Sequence, residues 1–244
     1  VALSAMIPIL SAQGLSVVSL PTALVSNTLD FGQFEILDTT DYMDKTIDVW
    51  HNLNFQFDCI ATGFMVNPKQ IDLVKKLITN QKNEELLVVV DPIMGDEGKL
   101  YNGVGEETVA HMRKMVAVAD CIVPNYTEAA YLADMPYHED MTEEEARALT
   151  IRLHEMGAKS VVVTSAKVDG ENCVGYDGTE GEFFRIPFDL IPVRFVGTGD
   201  IFAAVMLGRL VDGVPLQEST HRAMDAVRTM IDRNRDKEDK YLGI

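Results

Sequence analysis

The sequence predicts an α/β protein built on a central, mostly parallel sheet covered on both faces. Three observations carry this. Leu86-Leu87-Val88-Val89-Val90 and Val161-Val162-Val163-Thr164 are continuous apolar, β-branched runs of the kind found in strands buried on both faces. Strand-like and helical segments alternate along most of the chain, the order that gives right-handed crossovers and a parallel sheet. No internal repeat or long Gly/Ser linker divides the 244 residues, so one large domain over 1–244 is expected, a length sufficient for a substantial core.

The elements follow in order. Val1 to Leu10 reads as a helix already under way, ending near Ala12 before Gly14, with Pro8 able to bend it. An N-terminal strand is therefore expected to precede it, and Leu242-Gly243-Ile244 has the look of an incomplete end. Leu15 to Leu20 has strand character and is closed by Pro21; Thr22 to Phe34 has no period and suits an exposed segment that lines or covers a site. Thr40 to Leu53 carries Tyr42, Ile47, Val49 and Trp50 at helical intervals. A strand over Phe57 to Phe64 ends in Thr62-Gly63-Phe64, and Ile71, Val74, Leu77 and Ile78 mark a helix after Pro68. Beyond the run ending at Val90, Glu106 to Val118 is amphipathic and leads to the strand Cys121-Ile122-Val123. Thr142 and Glu145 stand at capping-box spacing at the head of a helix reaching Met156 and stopped by Gly157. Asn172 to Tyr176 and Phe183 to Pro187 read as a hairpin. Phe195-Val196-Gly197-Thr198-Gly199-Asp200 reads as a loop opening a buried helix, with a last helix over about Leu216 to Ile231 and a solvated charged tail from Asp232 to Lys240.

Composition narrows the function. Thirty-eight acidic against 21 basic residues give a net charge of −17, which argues against nucleic acid and anionic membrane surfaces as partners. No apolar run reaches the ~18 residues of a membrane span, and the first residues do not read as a signal peptide. Cys59, Cys121 and Cys173 are too dispersed for a zinc or dithiol site and suit reduced thiols in a cytoplasmic protein.

Polar residues recur where the apolar strands end: Thr62-Gly63-Phe64, Asp91 with Asp96, Asn125 with Glu128, and Thr164-Ser165. Open α/β sheets bind ligands beyond the carboxyl ends of their strands, so these spots are expected to converge. Each alone has a structural reading: Asp91-Pro92 as a turn, Asn125 as a helix cap, Thr164 as a sheet-end hydroxyl. Gly197 to Gly199 at a helix start suit a phosphate, and Asp200 is either a first-turn cap or a chemical group. Magnesium phosphate chemistry would use Asp91, Asn125 and Glu128 on the metal side, the glycines at the phosphate and Asp200 at the accepting hydroxyl. The absence of GxxxxGK(S/T) removes support for a P-loop.

Taken together, Asp91-Pro92-Ile93-Met94-Gly95-Asp96, Pro124-Asn125 with Glu128, and Gly197-Thr198-Gly199-Asp200 resemble the ribokinase superfamily, and closely its bacterial pyridoxal/pyridoxine/pyridoxamine kinases, over nearly all of the chain. The resemblance implies a three-layer α/β/α ribokinase-like fold, a homodimer, and ATP-dependent phosphorylation of the vitamin B6 5′-hydroxymethyl group. It implies ATP and Mg2+ as cofactors, with K+ as a further candidate. Asp200 matches the catalytic base, and Gly197, Thr198 and Gly199 match the anion hole. Asp91 and Glu128 match the metal neighbourhood; Asn125, Glu128, Thr164, Ser165, Phe195 and Val196 fall on the nucleotide side.

For the B6 pocket, Pro21 to Asn27 resembles the segment packing on the pyridine ring, which makes Thr22, Val25, Asn27, Phe64 and Asp96 the substrate candidates. Phe64 stands where many members carry tyrosine, which keeps the stacking surface and loses a phenolic hydrogen bond. Many relatives have threonine a few residues beyond the Ser-Asn pair, where this chain has Thr28-Leu29-Asp30, and a ring-contacting serine near a first strand that precedes Val1. Hydroxymethylpyrimidine (phosphate) kinases are the nearest alternative, but many of them resemble Gly-Thr-Gly-Cys where this chain has Asp200. An inactive B6-binding or sensor protein is the alternative of another class.

Overall fold

The structure is a computed structural model that describes residues 2–27, 32–81, 83, 85–101 and 104–238. Thr28-Leu29-Asp30 and the end of the charged tail at 239–240 therefore lie outside the described residues. The backbone groups into two compact units, residues 1–46 with 190–244 and residues 47–189.

The first unit contains α1 (Ala2–Ala12), a small antiparallel hairpin of β1 (Ala23–Val25) and β2 (Ile36–Asp38), the start of α2 (Thr40–Asn52), α7 (Thr198–Val211) and α8 (Leu216–Asn234). The helix α7 is its centre, with Ile201, Phe202, Ala203, Ala204, Met206 and Leu207 buried, and both α1 and α8 pack on it. Burial on every side explains why this helix lacks the polar face of an ordinary surface helix. Just past α1, Gln13 Nε2 donates to the Ala204 carbonyl at 3.2 Å and so locks α1 to α7. The strand expected over Leu15 to Leu20 is not formed. β-Branched residues favour strands only where a partner ladder receives their N–H and carbonyl groups, and among the described residues none pairs with this run.

The second unit holds a six-stranded sheet in the order β10-β9-β8-β7-β4-β3. Its strands are β3 (Cys59–Thr62), β4 (Leu87–Val90), β7 (Cys121–Ile122), β8 (Ser160–Lys167), β9 (Glu171–Asp177) and β10 (Glu182–Pro187). The pairings β3 with β4, β4 with β7, and β7 with β8 are parallel, and the expected hairpin β9–β10 closes one edge antiparallel. Val88, Val89, Val90, Ile122, Val161, Val162 and Val163 are buried, as runs covered on both faces must be. Helices α3 (Pro68–Gln81), α4 (Glu106–Val116), α5 (Tyr126–Ala133) and α6 (Glu143–Glu155) flank the sheet. Between β4 and α4 the chain makes a second small hairpin, β5 (Gly95–Asp96) and β6 (Lys99–Leu100).

Because four neighbouring strands run parallel, their carboxyl ends fall along one edge. Thr62 pairs with Val90, Val90 with Ile122, and Ile122 with Val161. An isolated parallel bridge joins Asn125 to Thr164 just beyond them.

Candidate active site

In the second unit the four polar spots expected to converge do so. Asp91 follows β4, with its N–H donating to the Thr62 carbonyl at 3.0 Å. Thr164 interrupts the β8–β9 ladder: between Val163 and Ala166 two residues of β8 face one of β9, a bulge. Ser165, the second of the pair, has φ 57° and is exposed, so the strand turns its backbone outward there. The Thr164 N–H donates to the Pro124 carbonyl at 3.0 Å, which ties the bulge to the head of α5. Gly63 and Phe64 continue from β3, and Phe64 is half-buried. The Thr62 hydroxyl oxygen beside them is buried and has no hydrogen-bond partner.

The head of α5 is closed by a capping box. Asn125 Oδ1 accepts from the Glu128 N–H and Glu128 Oε2 accepts from the Asn125 N–H, both at 2.9 Å. The other Glu128 oxygen accepts from the N–H groups of Met94 at 2.8 Å and Gly95 at 3.4 Å, while Asn125 Nδ2 donates to the Gly95 carbonyl at 2.7 Å. One motif thus caps its own helix and fastens the segment after β4. Burial pushes the Glu128 carboxyl up to about 7; the three N–H groups oppose this, and the Asp96 charge adds to it. Asp96 lies in β5 and accepts from the Glu97 N–H at 2.9 Å.

Magnesium needs oxygen donors and binds through one or two carboxylates with phosphate oxygens and retained waters. Among the described residues no group of three or more His, Cys, Asp or Glu side chains could hold a metal ion. With both Glu128 oxygens engaged by backbone N–H groups, the donor set does not fit an all-protein cage.

In the first unit, Phe195 is buried and Val196 half-buried ahead of Gly197, whose φ of 93° only glycine adopts without strain. That conformation turns the chain into α7 with no capping side chain. The first intrahelical bond runs from the Ile201 N–H to the Gly197 carbonyl, which leaves the N–H groups of Thr198, Gly199 and Asp200 without helical partners. The space where a Gly199 side chain would stand is open. Burial raises the Asp200 carboxyl above its ordinary range, making it a stronger proton acceptor than a solvated aspartate.

The remaining substrate candidates flank the β1–β2 hairpin. Thr22 receives the Thr39 N–H on its carbonyl, and Val25 is exposed in β1. Asn27 Nδ2 donates to the Gln33 carbonyl at 2.8 Å, so this amide closes the hairpin loop.

Sequence reasoning missed three features: the double use of Glu128, the orphan Thr62 hydroxyl, and the role of Thr127 described below. The Asn-x-x-Glu spacing at 125–128 signals the capping half of the first, since it has the form of a capping box. The other two have no local signal.

A model of the phosphomethylpyrimidine kinase family matches residues 4–242. Pyridoxal kinases from Arabidopsis thaliana and Sus scrofa are 34% and 35% identical over 157 and 179 residues, 61% and 64% of this chain. These alignments take in 49% and 53% of the relatives, so the chain spans about half the length of the curated proteins it matches. A Bacteroides thetaiotaomicron structure with pyridoxal, described as a phosphomethylpyrimidine kinase, is 36% identical with a TM-score of 0.93, covering 98% of this chain and 85% of that one. Pyridoxal kinase from Lactobacillus plantarum is 30% identical with a TM-score of 0.89, covering 99% and 87%. The mixed sheet flanked by helices is thus of the ribokinase-like α/β type. With its match running across 4–242, the chain belongs to the phosphomethylpyrimidine kinase family.

Proposed function

We propose that residues 1–244 act as a single kinase domain that phosphorylates the 5′-hydroxymethyl group of pyridoxal, pyridoxine or pyridoxamine with ATP. The observation that carries this reading is the start of α7: unpartnered backbone donors with a half-buried carboxylate, Asp200, in the same turn. The similarity to a pyridoxal-bound structure and to several pyridoxal kinases supports the choice of substrate.

In this reading Asp200 accepts the hydroxyl proton as the hydroxyl oxygen attacks the γ-phosphorus. The bond from that phosphorus to the bridging oxygen breaks, and ADP leaves with the electron pair. The backbone of Gly197, Thr198 and Gly199 stabilises the transferring phosphoryl oxygens, with Phe195 and Val196 holding the approach to that turn. Asn125, Thr164 and Ser165 serve the nucleotide side. Thr22, Val25, Asn27, Phe64 and Asp96 serve the vitamer, Phe64 by ring packing. When bound, Mg2+ at Asp91 neutralises phosphate charge; Glu128 acts near it through the backbone it holds.

Two further attributes belong to the proposal. The cross-strand pair Leu24 and Leu37 is 56% and 60% exposed on the β1–β2 hairpin, an apolar surface suited to a second copy in a homodimer. Burial keeps the Cys59 and Cys121 thiols protonated, up to about 12, and Cys173 is raised likewise, which suits a reducing cytoplasm.

A coupled ADP-release assay with ATP and magnesium tests the reading, comparing the three vitamers with hydroxymethylpyrimidine and ribose, in K+ and in Na+ buffers. Vitamer-dependent ADP release is expected, from material sedimenting as a dimer. The family description favours hydroxymethylpyrimidine as the competing substrate, and a clear preference for it overturns the assignment. Pyridoxal binding without ADP release would identify a carrier or sensor.

A further inference from the structure

With two residues in each strand, the β5–β6 hairpin is too short to hold its own shape. Its turn uses left-handed backbone at both central positions, Glu97 at φ 51° and Gly98 at φ 77°, the pattern of a tight two-residue hairpin turn. Asn125 and Glu128 fasten its base at Met94 and Gly95.

Thr127 is different. It takes no part in the cap, is 2% exposed, and its Oγ1 reaches away from its own helix to accept from the Gly98 N–H at 2.8 Å. It therefore holds the tip of the hairpin. Beneath the tip, Gly98 lies on the ring of Tyr137: a side chain at Gly98 would come within 3.0 Å of Tyr137 Cδ1. Tyr137 is itself stacked on Tyr126 at 4.6 Å, and the Tyr126 hydroxyl bonds both the N–H and the carbonyl of His138. The tip is thus held by one hydroxyl from the side and by a fixed aromatic floor.

We propose that Thr127 is a positioning residue for vitamer binding, acting through the Gly98 N–H to fix the hairpin tip and with it the backbone that carries Asp96. Asp91 is tethered separately, through its own N–H to Thr62. Loosening the tip therefore loosens the backbone that carries Asp96, while Asp91 keeps its own tether. The inference rests on the kinase reading, in which Asp96 faces the vitamer.

Thr127→Val removes the hydroxyl at nearly constant volume, and Thr127→Ser restores it. Expected in Thr127→Val are a rise in the KM for pyridoxal of about 10-fold, the scale of one lost hydrogen bond, with kcat and the KM for ATP nearly unchanged, and faster amide exchange at Gly98 to Leu100. Thr127→Ser restores both readouts. Gly98→Ala, which pushes the tip off Tyr137 from the other side, is a second variant with the same expected KM signature. Wild-type KM and exchange in Thr127→Val overturn the proposal, as does a Thr127→Ser variant equally impaired, or a raised KM with unchanged hairpin exchange. A wild-type protein that turns over no vitamer breaks the kinase reading instead; the proposal then stands or falls on the exchange difference between the Val and Ser variants.

Discussion

The helices α5 and α7 both begin beside polar residues, and they begin in opposite ways. At α5 the carboxylate of Glu128 is consumed by three backbone N–H groups and the amide of Asn125 by two partners, so the turn is closed upon the protein itself. At α7 a left-handed glycine stands at the cap and no side chain closes the turn. Unpartnered donors at a helix head cost free energy unless water or a ligand meets them. A closed head is a fastening; an open one facing free space is a place for an anion.

The contrast is sharpest in Asp200→Asn. If the open turn holds the chemical group, turnover falls about 10²- to 10⁴-fold, the usual contribution of a positioned base, while nucleotide affinity changes little. Near-wild-type kcat at saturating substrates would reduce Asp200 to a first-turn carboxylate like any other.

The effect at Glu128 is smaller and concerns stability. Glu128→Gln keeps one acceptor oxygen but sets an amide against the Asn125 N–H, at a cost of about 1–3 kcal/mol. Its pH dependence has a definite sign. Burial raises the folded carboxyl to about 7 from the ordinary 4.5, so the folded state binds the proton more tightly across that window. Folding stability from this group is then present at low pH and is lost as pH rises through the window. The advantage of wild type over Glu128→Gln should be largest near pH 5 and shrink toward pH 8, measured by thermal melts in chelator. An advantage that grows with pH would show that the N–H groups outweigh burial.

Thr142→Ala gives the smallest effect. The helix α6 is closed by the box in which Glu145 Oε2 accepts from the Thr142 N–H at 2.8 Å and the Glu145 N–H donates to Thr142 Oγ1 at 3.2 Å. Losing it should cost about 1 kcal/mol, a Tm shift of about 2–4 °C, with kcat and KM untouched. A fall in activity would mean that a closed helix head can also be functional.

The α6 cap could be read from Thr142 and Glu145 because capping chemistry is local: four residues contain both partners. The same holds for the buried runs of β4 and β8, where apolar content alone marks a strand covered on both faces. The helix α5 was harder to see. It is eight residues long and all but Tyr131 are buried, so it shows no polar face and no period. The hairpins β1–β2 and β5–β6, with strands of three and two residues, carry no pattern long enough to register. Leu15 to Leu20 shows the converse error, a strand-like composition with no ladder to join.

The sequence by itself therefore determined the class of the fold, the order of the long elements, and the residue types standing at the strand ends and at the α7 turn. Those follow from burial and from bonds between near neighbours. Only the tertiary structure decided what each polar group is free to do: that Glu128 is bound into the backbone at Met94 and Gly95, 34 and 33 positions away, that Thr127 reaches Gly98, and that no side chain closes α7. A carboxylate or hydroxyl has the same composition whether its oxygens are occupied or open. Occupancy is set by groups that the folded chain brings from elsewhere.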